Sequence, residues 1–199
     1  MAHAVVVADK QSLRASIKEQ RRGEDPAGQR TRSRLLSASA PVLTPLAAAG
    51  VAAFQPTNHE PDITALLHEL AAAAPVYLPR VAGESLEWVR ASAGDLVGGL
   101  TGIPRPAGAT AATGAAVVDQ LGVSLMLVPA LAVDPATGAR LGYGAGFYDR
   151  LLSQVGDRSA VLVVGVCRAA DLRDLPADDH DEPMDAVLTE SGLQRCTGR

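Results

Sequence analysis

Aromatic residues are scarce in this chain, six in 199 positions, and cysteines scarcer, with two. Cys167 and Cys196 cannot by themselves complete a zinc site, which takes four ligands. Neither demands an oxidising compartment, so a reducing cytoplasm is expected, and Cys167 reads as a small buried residue in an apolar run. No apolar run approaches the roughly 18 residues of a membrane helix. Met1 to Asp9 lacks the basic start and apolar stretch of a signal peptide. Positive charge is not in excess: 18 Lys and Arg against 22 Asp and Glu leave a net charge of −4, which argues against general nucleic-acid binding. Two nucleotide signatures are missing as well. No Gly-Lys-Ser/Thr follows the glycines, as a Walker A loop needs, and no G-x-G-x-x-G is present.

What remains fits one domain of 199 residues, long enough to bury roughly 70% of its unfolded surface. No internal repeat or linker interrupts it. Asp9 is placed to cap a helix over Lys10 to Lys18, and Pro26 to start another reaching about Ser39, with Arg30, Arg32 and Arg34 outside. Pro41 and Pro45 break that pattern before a short helix over Leu43 to Ala49. Short apolar strands are expected at Val51 to Phe54, at Val76 to Leu78 (ended by Pro79, with Arg80 just after), at Leu86 to Val89, at Leu125 to Val128, at Ala160 to Val166 and at Asp185 to Thr189. An amphipathic helix over Asp62 to Ala73 turns Ile63, Leu66, Leu67 and Leu70 to one side. Gly94 to Gly114 reads as a long loop. The alternation of strands and helices predicts an α/β fold: a three-layer, open, mostly parallel sheet with helices on both faces.

The densest chemistry lies between Gly138 and Arg150. Asp134 to Gly138 is a strong turn that leads into Arg140, then glycines at 142, 144 and 146, then a helix from Phe147 to Val155. Glycines let a ligand approach the backbone, and free N–H groups at a helix start favour an anion. Arg140 offers a guanidinium suited to phosphate, and Asp149 a carboxylate suited to a hard cation such as Mg²⁺. Tyr143, Phe147 and Tyr148, half of all the aromatics, suggest a flat ligand beside the phosphate. A surface loop with core-facing aromatics would explain Phe147 equally well, but not the crowding of Arg140, the tyrosines and Asp149.

Elsewhere, Lys10 and Arg14 share one helix face, as a merely solvated face also would. Glu60 follows a strand at the sheet edge where ligands bind in open α/β folds. An acid at a helix start, just before Pro61, is the plainer reading of it. His59 reads as a surface residue.

Together these pieces resemble the 5-formyltetrahydrofolate cyclo-ligase family, also called methenyltetrahydrofolate synthetase, over nearly the whole chain. The most specific match is Leu127-Val128-Pro129-Ala130-Leu131-Ala132-Val133-Asp134 followed by Gly138 through Arg150. Weaker ones are Lys10-x-x-Leu13-Arg14, the Gln55 to Glu60 loop, Leu78-Pro79-Arg80-Val81, and Asp181-x-x-x-Asp185-x-x-Leu188-Thr189-Glu190. The chain departs at Arg105, in Gly102-Ile103-Pro104-Arg105-Pro106, where many members carry Gly-Ile-x-Glu-Pro.

The resemblance implies a ligase that uses ATP and Mg²⁺ to cyclise 5-formyltetrahydrofolate, with or without a polyglutamate tail, to 5,10-methenyltetrahydrofolate through an N5-iminophosphate. It implies ATP binding by Lys10, Gln11, Ser12, Leu13 and Arg14, and by Arg140, Leu141, Gly142, Tyr143, Gly144, Ala145, Gly146, Phe147 and Tyr148. It implies folate binding by Phe54, Gln55, Glu60, Tyr143 and Phe147, metal binding by Asp149 and Asp181, and catalytic roles for Lys10, Arg140 and Tyr148. Asp178 and Asp179 are expected to be solvated, and the protein to be a cytoplasmic monomer. A non-catalytic folate- or nucleotide-binding relative, or an ATP-dependent enzyme with another substrate, are the alternatives.

Overall fold

The first helix begins where the Asp9 carboxylate accepts from the N–H groups of Gln11 and Ser12, two of the donors a helix start leaves orphaned. This computed structural model describes residues 9–23, 25–57, 60–92, 94–96, 105–176, 178 and 180–198. In chain order it contains α1 (Lys10–Arg22), α2 (Pro26–Ser37), α3 (Ala40–Leu43), a 3₁₀ turn (Thr44–Ala47), β1 (Val51–Ala52), α4 (Thr64–Ala71), β2 (Val76–Ala82), β3 (Ser85–Arg90), β4 (Thr110–Thr113), α5 (Ala116–Asp119) and β5 (Leu125–Pro129). There follow β6 (Ala132–Val133), β7 (Arg140–Leu141), α6 (Phe147–Leu152), β8 (Leu162–Val166), β9 (Ala186–Thr189) and β10 (Gly192–Arg195).

Eight strands form one sheet in the order β10-β9-β8-β5-β1-β2-β3-β4, and β6 pairs β7 in a separate ribbon. The five central strands are parallel. The β2–β3, β3–β4 and β9–β10 pairs are antiparallel. Period-two alternation fixes the layers. Val51, Leu125, Leu127, Val164 and Val166 face Leu66, Leu67 and Leu70 of α4. Their neighbours Ala52, Met126, Val128 and Val163 face Val117 and Val118 of α5 and Leu151 and Leu152 of α6. Covered on both sides, β5 is buried at every position, as parallel strands are. The three-layer α/β architecture is therefore as the sequence suggests.

The strand order reverses between β1 and β5: the chain runs from β1 outward to β2, and from β5 outward the other way to β8 and β9. Such a reversal opens a crevice at the C-terminal strand ends. Above it, α1 sets Ile17 on Leu131 and on Ala132 and Leu141 of the β6–β7 ribbon.

Several details differ from the sequence expectation. The second strand does not stop at Pro79 but runs to Ala82, so Arg80 lies inside it. Tyr77 O accepts from Ala53 N on the β1 side, so Pro79, two residues on, also faces that side, beyond the end of β1. Its missing N–H costs no ladder bond. The Gly94 to Gly114 stretch ends in β4, and α5, the β6–β7 ribbon and β10 were not expected. These elements are only two to four residues long, too short to show a period. The Leu43 to Ala49 helix is a 3₁₀ turn. Arg32 is half-buried, 3.6 Å from Glu190, rather than outside. Cys167 is fully buried, and burial pushes its thiol up to about 12. His59, Asp179 and Gly102 to Pro104 lie outside the described residues.

Candidate functional site

The crevice is a cavity of about 950 Å³. Its floor is Phe54 and Gln55, directly after β1, and Pro129, the end of β5. One wall is the glycine loop and the start of α6, another is the α1 face with Lys10, Arg14 and Lys18, and the rim includes Asp178, His180 and Asp181. Of the residues expected at the site, Lys10, Arg14, Phe54, Gln55, Glu60, Arg140, Gly142 to Asp149 and Asp181 line it. Gln11, Ser12, Leu13 and Leu141 do not. Gln11 and Ser12 are exposed, and their N–H groups serve the Asp9 cap. Leu13 packs on buried Leu141 under α1. The helical period, which brings Lys10 and Arg14 to the cavity, turns the residues between them away.

Arg140 is only 4% exposed at its side chain. Its Nη2 donates to both Asp149 oxygens, at 3.0 and 2.9 Å, and its Nη1 to Pro129 O at 3.3 Å. A Cβ on Gly142 would stand 2.5 Å from that Nη1, so glycine lets the loop lie directly on the guanidinium. Arg14 Nε donates to Gly142 O at 2.9 Å. Gly146 takes a left-handed conformation, φ 68°, to begin α6. Arg140 thus supports the loop from beneath, with its charge already matched by Asp149.

Lys10 donates to Asp178 at 2.7 Å and to Asp181. Burial alone would lower its pKa, but the two acids outweigh this and hold it above its ordinary value. Lys10 in turn holds Asp178 below the usual carboxylate range. Asp178 is therefore ion-paired at the rim, not merely solvated. Ligating atoms of Asp178, His180 and Asp181 lie within 4.8 Å of one another. Asp149, bound to Arg140, is not in that group.

On the far side, the Glu60 carboxylate accepts from Thr57 N at 2.9 Å and Thr57 Oγ1 at 3.0 Å. It does not serve the start of α4, where Asp62 Oδ1 accepts from Thr64 N. Burial raises the Glu60 carboxyl above its ordinary value, against the Thr57 hydrogen bonds. Burial, then the charge of Glu60, raises the phenols of Tyr143 and Tyr148, so both stay neutral. Gln55 Nε2 donates to Asp95 O, while its buried Oε1 has no partner among the described residues. Cations lie over the three rings: Lys18 at 5.7 Å from Tyr143, Arg140 at 5.8 Å from Tyr148, and Arg150 at 5.3 Å from Phe147. Arg105 is exposed and does not line the cavity.

The sequence profile of the 5-formyltetrahydrofolate cyclo-ligase family matches residues 6–190. The chain belongs to this family of enzymes. Among curated members, the 5-formyltetrahydrofolate cyclo-ligase of Mycolicibacterium smegmatis is 39% identical over 150 residues, 70% of this chain and 72% of that one. The cyclo-ligase of Saccharomyces cerevisiae is 34% identical over 74 residues, 35% of each. The solution structure of the Aquifex aeolicus 5,10-methenyltetrahydrofolate synthetase superposes with a TM-score of 0.73 at 30% identity, over 94% of this chain and 92% of that one. The Mycoplasma pneumoniae synthetase shares the fold at a TM-score of 0.68 and 18% identity, over 90% and 98%.

The cyclo-ligase resemblance points to the two ends of α1 unequally. It picks out Lys10 and Arg14 but not Arg21, which is buried beneath Tyr143. Unlike Arg21, Thr57, His180 and Arg150 line the cavity, and the sequence reading singles out none of the three. For Arg21 a signal existed: it follows Lys10, Arg14 and Ile17 by 11, 7 and 4 residues, the recurrence of a single helix face. Among the described residues no helix is long and apolar enough to cross a membrane.

Proposed function

We propose that this chain is an ATP-dependent 5-formyltetrahydrofolate cyclo-ligase, forming 5,10-methenyltetrahydrofolate with release of ADP and phosphate. The formyl oxygen attacks the γ-phosphorus and ADP leaves. N10 of the same folate then attacks the activated formyl carbon, phosphate departs with the former formyl oxygen, and N10 loses its proton. The first step activates a weakly nucleophilic amide oxygen, so it needs charge neutralisation and in-line placement more than a strong base.

The observation that carries this reading is the single cavity holding two chemically distinct halves. On one side, Lys10, Arg14 and the N–H groups of residues 142 to 146 suit a triphosphate. Arg140, neutralised by Asp149, braces the loop. On the other, Gln55 Oε1 is a buried acceptor with no partner among the described residues and Glu60 a half-buried carboxylate, both suited to the N–H groups of a pterin. Phe54, Tyr143 and Phe147 flank the ring, and Tyr148 lies between the halves as a neutral hydroxyl. The carboxylates of Asp178 and Asp181 would offer hard oxygen donors, and His180 an imidazole nitrogen, to the Mg²⁺ that arrives with ATP, once the triphosphate draws Lys10 away from the two acids; Asp149 would have to be released from Arg140 in the same way. Bound there, the ion supplies neutralisation of triphosphate charge. On this reading the enzyme works as a cytoplasmic monomer on folates carrying one or several glutamates.

The test mixes protein, MgATP and 5-formyltetrahydrofolate and follows the near-ultraviolet absorbance of the methenyl product, with ATP or Mg²⁺ omitted in turn. Product formation should match ADP release one for one. ATP hydrolysis without methenyl product would rule the assignment out.

A further inference from the structure

Arg21 stands 3% exposed at the far end of α1 from Lys10. Its Nη2 donates to Asp171 at 2.7 Å and to Leu131 O at 2.9 Å, and its Nη1 to the Tyr143 hydroxyl at 3.0 Å. Asp171 is itself 4% exposed. One buried guanidinium thus joins α1, the segment after β5, the turn that ends at Asp171 and the cavity wall.

Such a pair is poor value as a stabiliser. Desolvating two charges costs about as much as their attraction returns, and packed apolar residues of similar size usually serve stability as well or better. Its geometry is specific, however. Arginine has no acceptor, so the Tyr143 oxygen must accept, and the single hydroxyl proton is turned away from Arg21. The planar fork holds four acceptors at once, Tyr143 Oη, Asp171 Oδ2 and the Leu131 and Ala130 carbonyls, which an ammonium would not. Tyr143 lines the cavity on the Glu60 side, where the charge of Glu60 already reaches its phenol.

We propose that Arg21 is a positioning residue: braced by Asp171, it fixes the Tyr143 ring and hydroxyl orientation against which the flat half of the substrate is held. The role of Tyr143 rests on the folate reading above; the fixing of its ring does not.

The test uses the paired variant Arg21→Met/Asp171→Leu, which removes both charges and keeps the volume filled, beside Arg21→Lys and Tyr143→Phe. Tyrosine ring-labelled NMR of the ligand-free protein reports on three tyrosines, and Tyr143→Phe assigns the signal of interest. In the paired variant the Tyr143 signal should shift and broaden while those of Tyr77 and Tyr148 stay put, with the melting temperature close to wild type. KM for 5-formyltetrahydrofolate should rise about tenfold, with nucleotide affinity by calorimetry unchanged. Arg21→Lys should restore only part of the loss. Combining the paired change with Tyr143→Phe should add little to either alone. An unmoved Tyr143 signal would overturn the proposal whatever the substrate. So would a wild-type KM in a paired variant whose Tyr143 signal has moved. Failure of the wild-type protein to make methenyl product would instead sink the folate reading, leaving the NMR result to judge the positioning.

Discussion

Arg140 and Asp149 bracket the glycine loop and close it from below, two hydrogen bonds at 3.0 and 2.9 Å joining nine positions of chain. An arginine of this kind is part of the scaffold before it is part of any ligand site. Arg140→Ala should therefore do more than weaken ATP binding, because it leaves the Asp149 carboxylate half-buried and unpaired. The expected loss is about 3–5 kcal/mol of stability, or on the order of 10 °C in melting temperature for a chain of this size. Denaturant unfolding measures it. An unchanged midpoint with lost nucleotide affinity would return Arg140 to a direct phosphate role.

Lys10 behaves oppositely. It is at the rim, paired with an Asp178 that is half exposed and an Asp181 that is largely covered, and the exposed one of the two pairs adds little to stability. Lys10→Ala should lower the melting temperature less than Arg140→Ala, because Asp178 stays solvated, yet weaken ATP binding roughly ten- to a hundred-fold, the worth of one charged hydrogen bond. Calorimetric titration with MgATP decides this, and equal affinity for both proteins would remove Lys10 from the phosphate site.

Glu60 makes a pH prediction. Its folded carboxyl pKa is raised above the ordinary 4.5, chiefly by burial. Its contribution to stability is therefore whole below 4.5 and is lost as pH rises through the raised value. Ligand binding runs the other way on the proposed reading, in which only the carboxylate could accept two hydrogen bonds from the pterin. KM for folate should climb on acidification at a pH above that of an ordinary glutamate. In Glu60→Gln that acid limb should vanish, KM should be high at every pH, and stability near neutrality should be equal or slightly better. A retained acid limb in Glu60→Gln would assign the titration to another group.

Two glycines separate strain from collision. Gly122 has φ 67° with open space around it, whereas Gly138 has φ 79° and a Cβ there would stand 2.4 Å from Met184 O. Gly122→Ala should cost about 1–2 kcal/mol for the left-handed conformation. Gly138→Ala should cost clearly more, since backbone must also move. Urea midpoints of the two variants test it; similar losses would show that the Gly138 turn relaxes freely.

The sequence was most legible where one pattern ran long enough to repeat. The Asp9 cap, the apolar face of α4 and the double-sided burial of β5 follow from spacing alone. So does the neighbourhood of Gln55 and Glu60, placed by the strand before them. What the sequence hid were partnerships across the fold. Nothing local says that Arg140 spends its charge on Asp149, that Glu60 ties down Thr57 rather than a helix end, or that Asp178 meets Lys10. Contiguous motifs also overreached: Gln11 and Ser12 sit between cavity residues in sequence, but a helix turns them to solvent.

The bond from Lys10 to Asp178 and Asp181 spans 168 and 171 positions of chain. A site closed in this way has a history in time as well as a shape. The first helix leaves the ribosome long before the acids that will meet it, and loop closure over such distances comes late. Until the segment after β8 has emerged, α1 presents Lys10 and Arg14 without the opposing acids, so the nascent chain lacks the group proposed to hold the ion. On the proposed reading, MgATP would then stabilise only the finished protein, favouring completion of the sheet rather than any part of it.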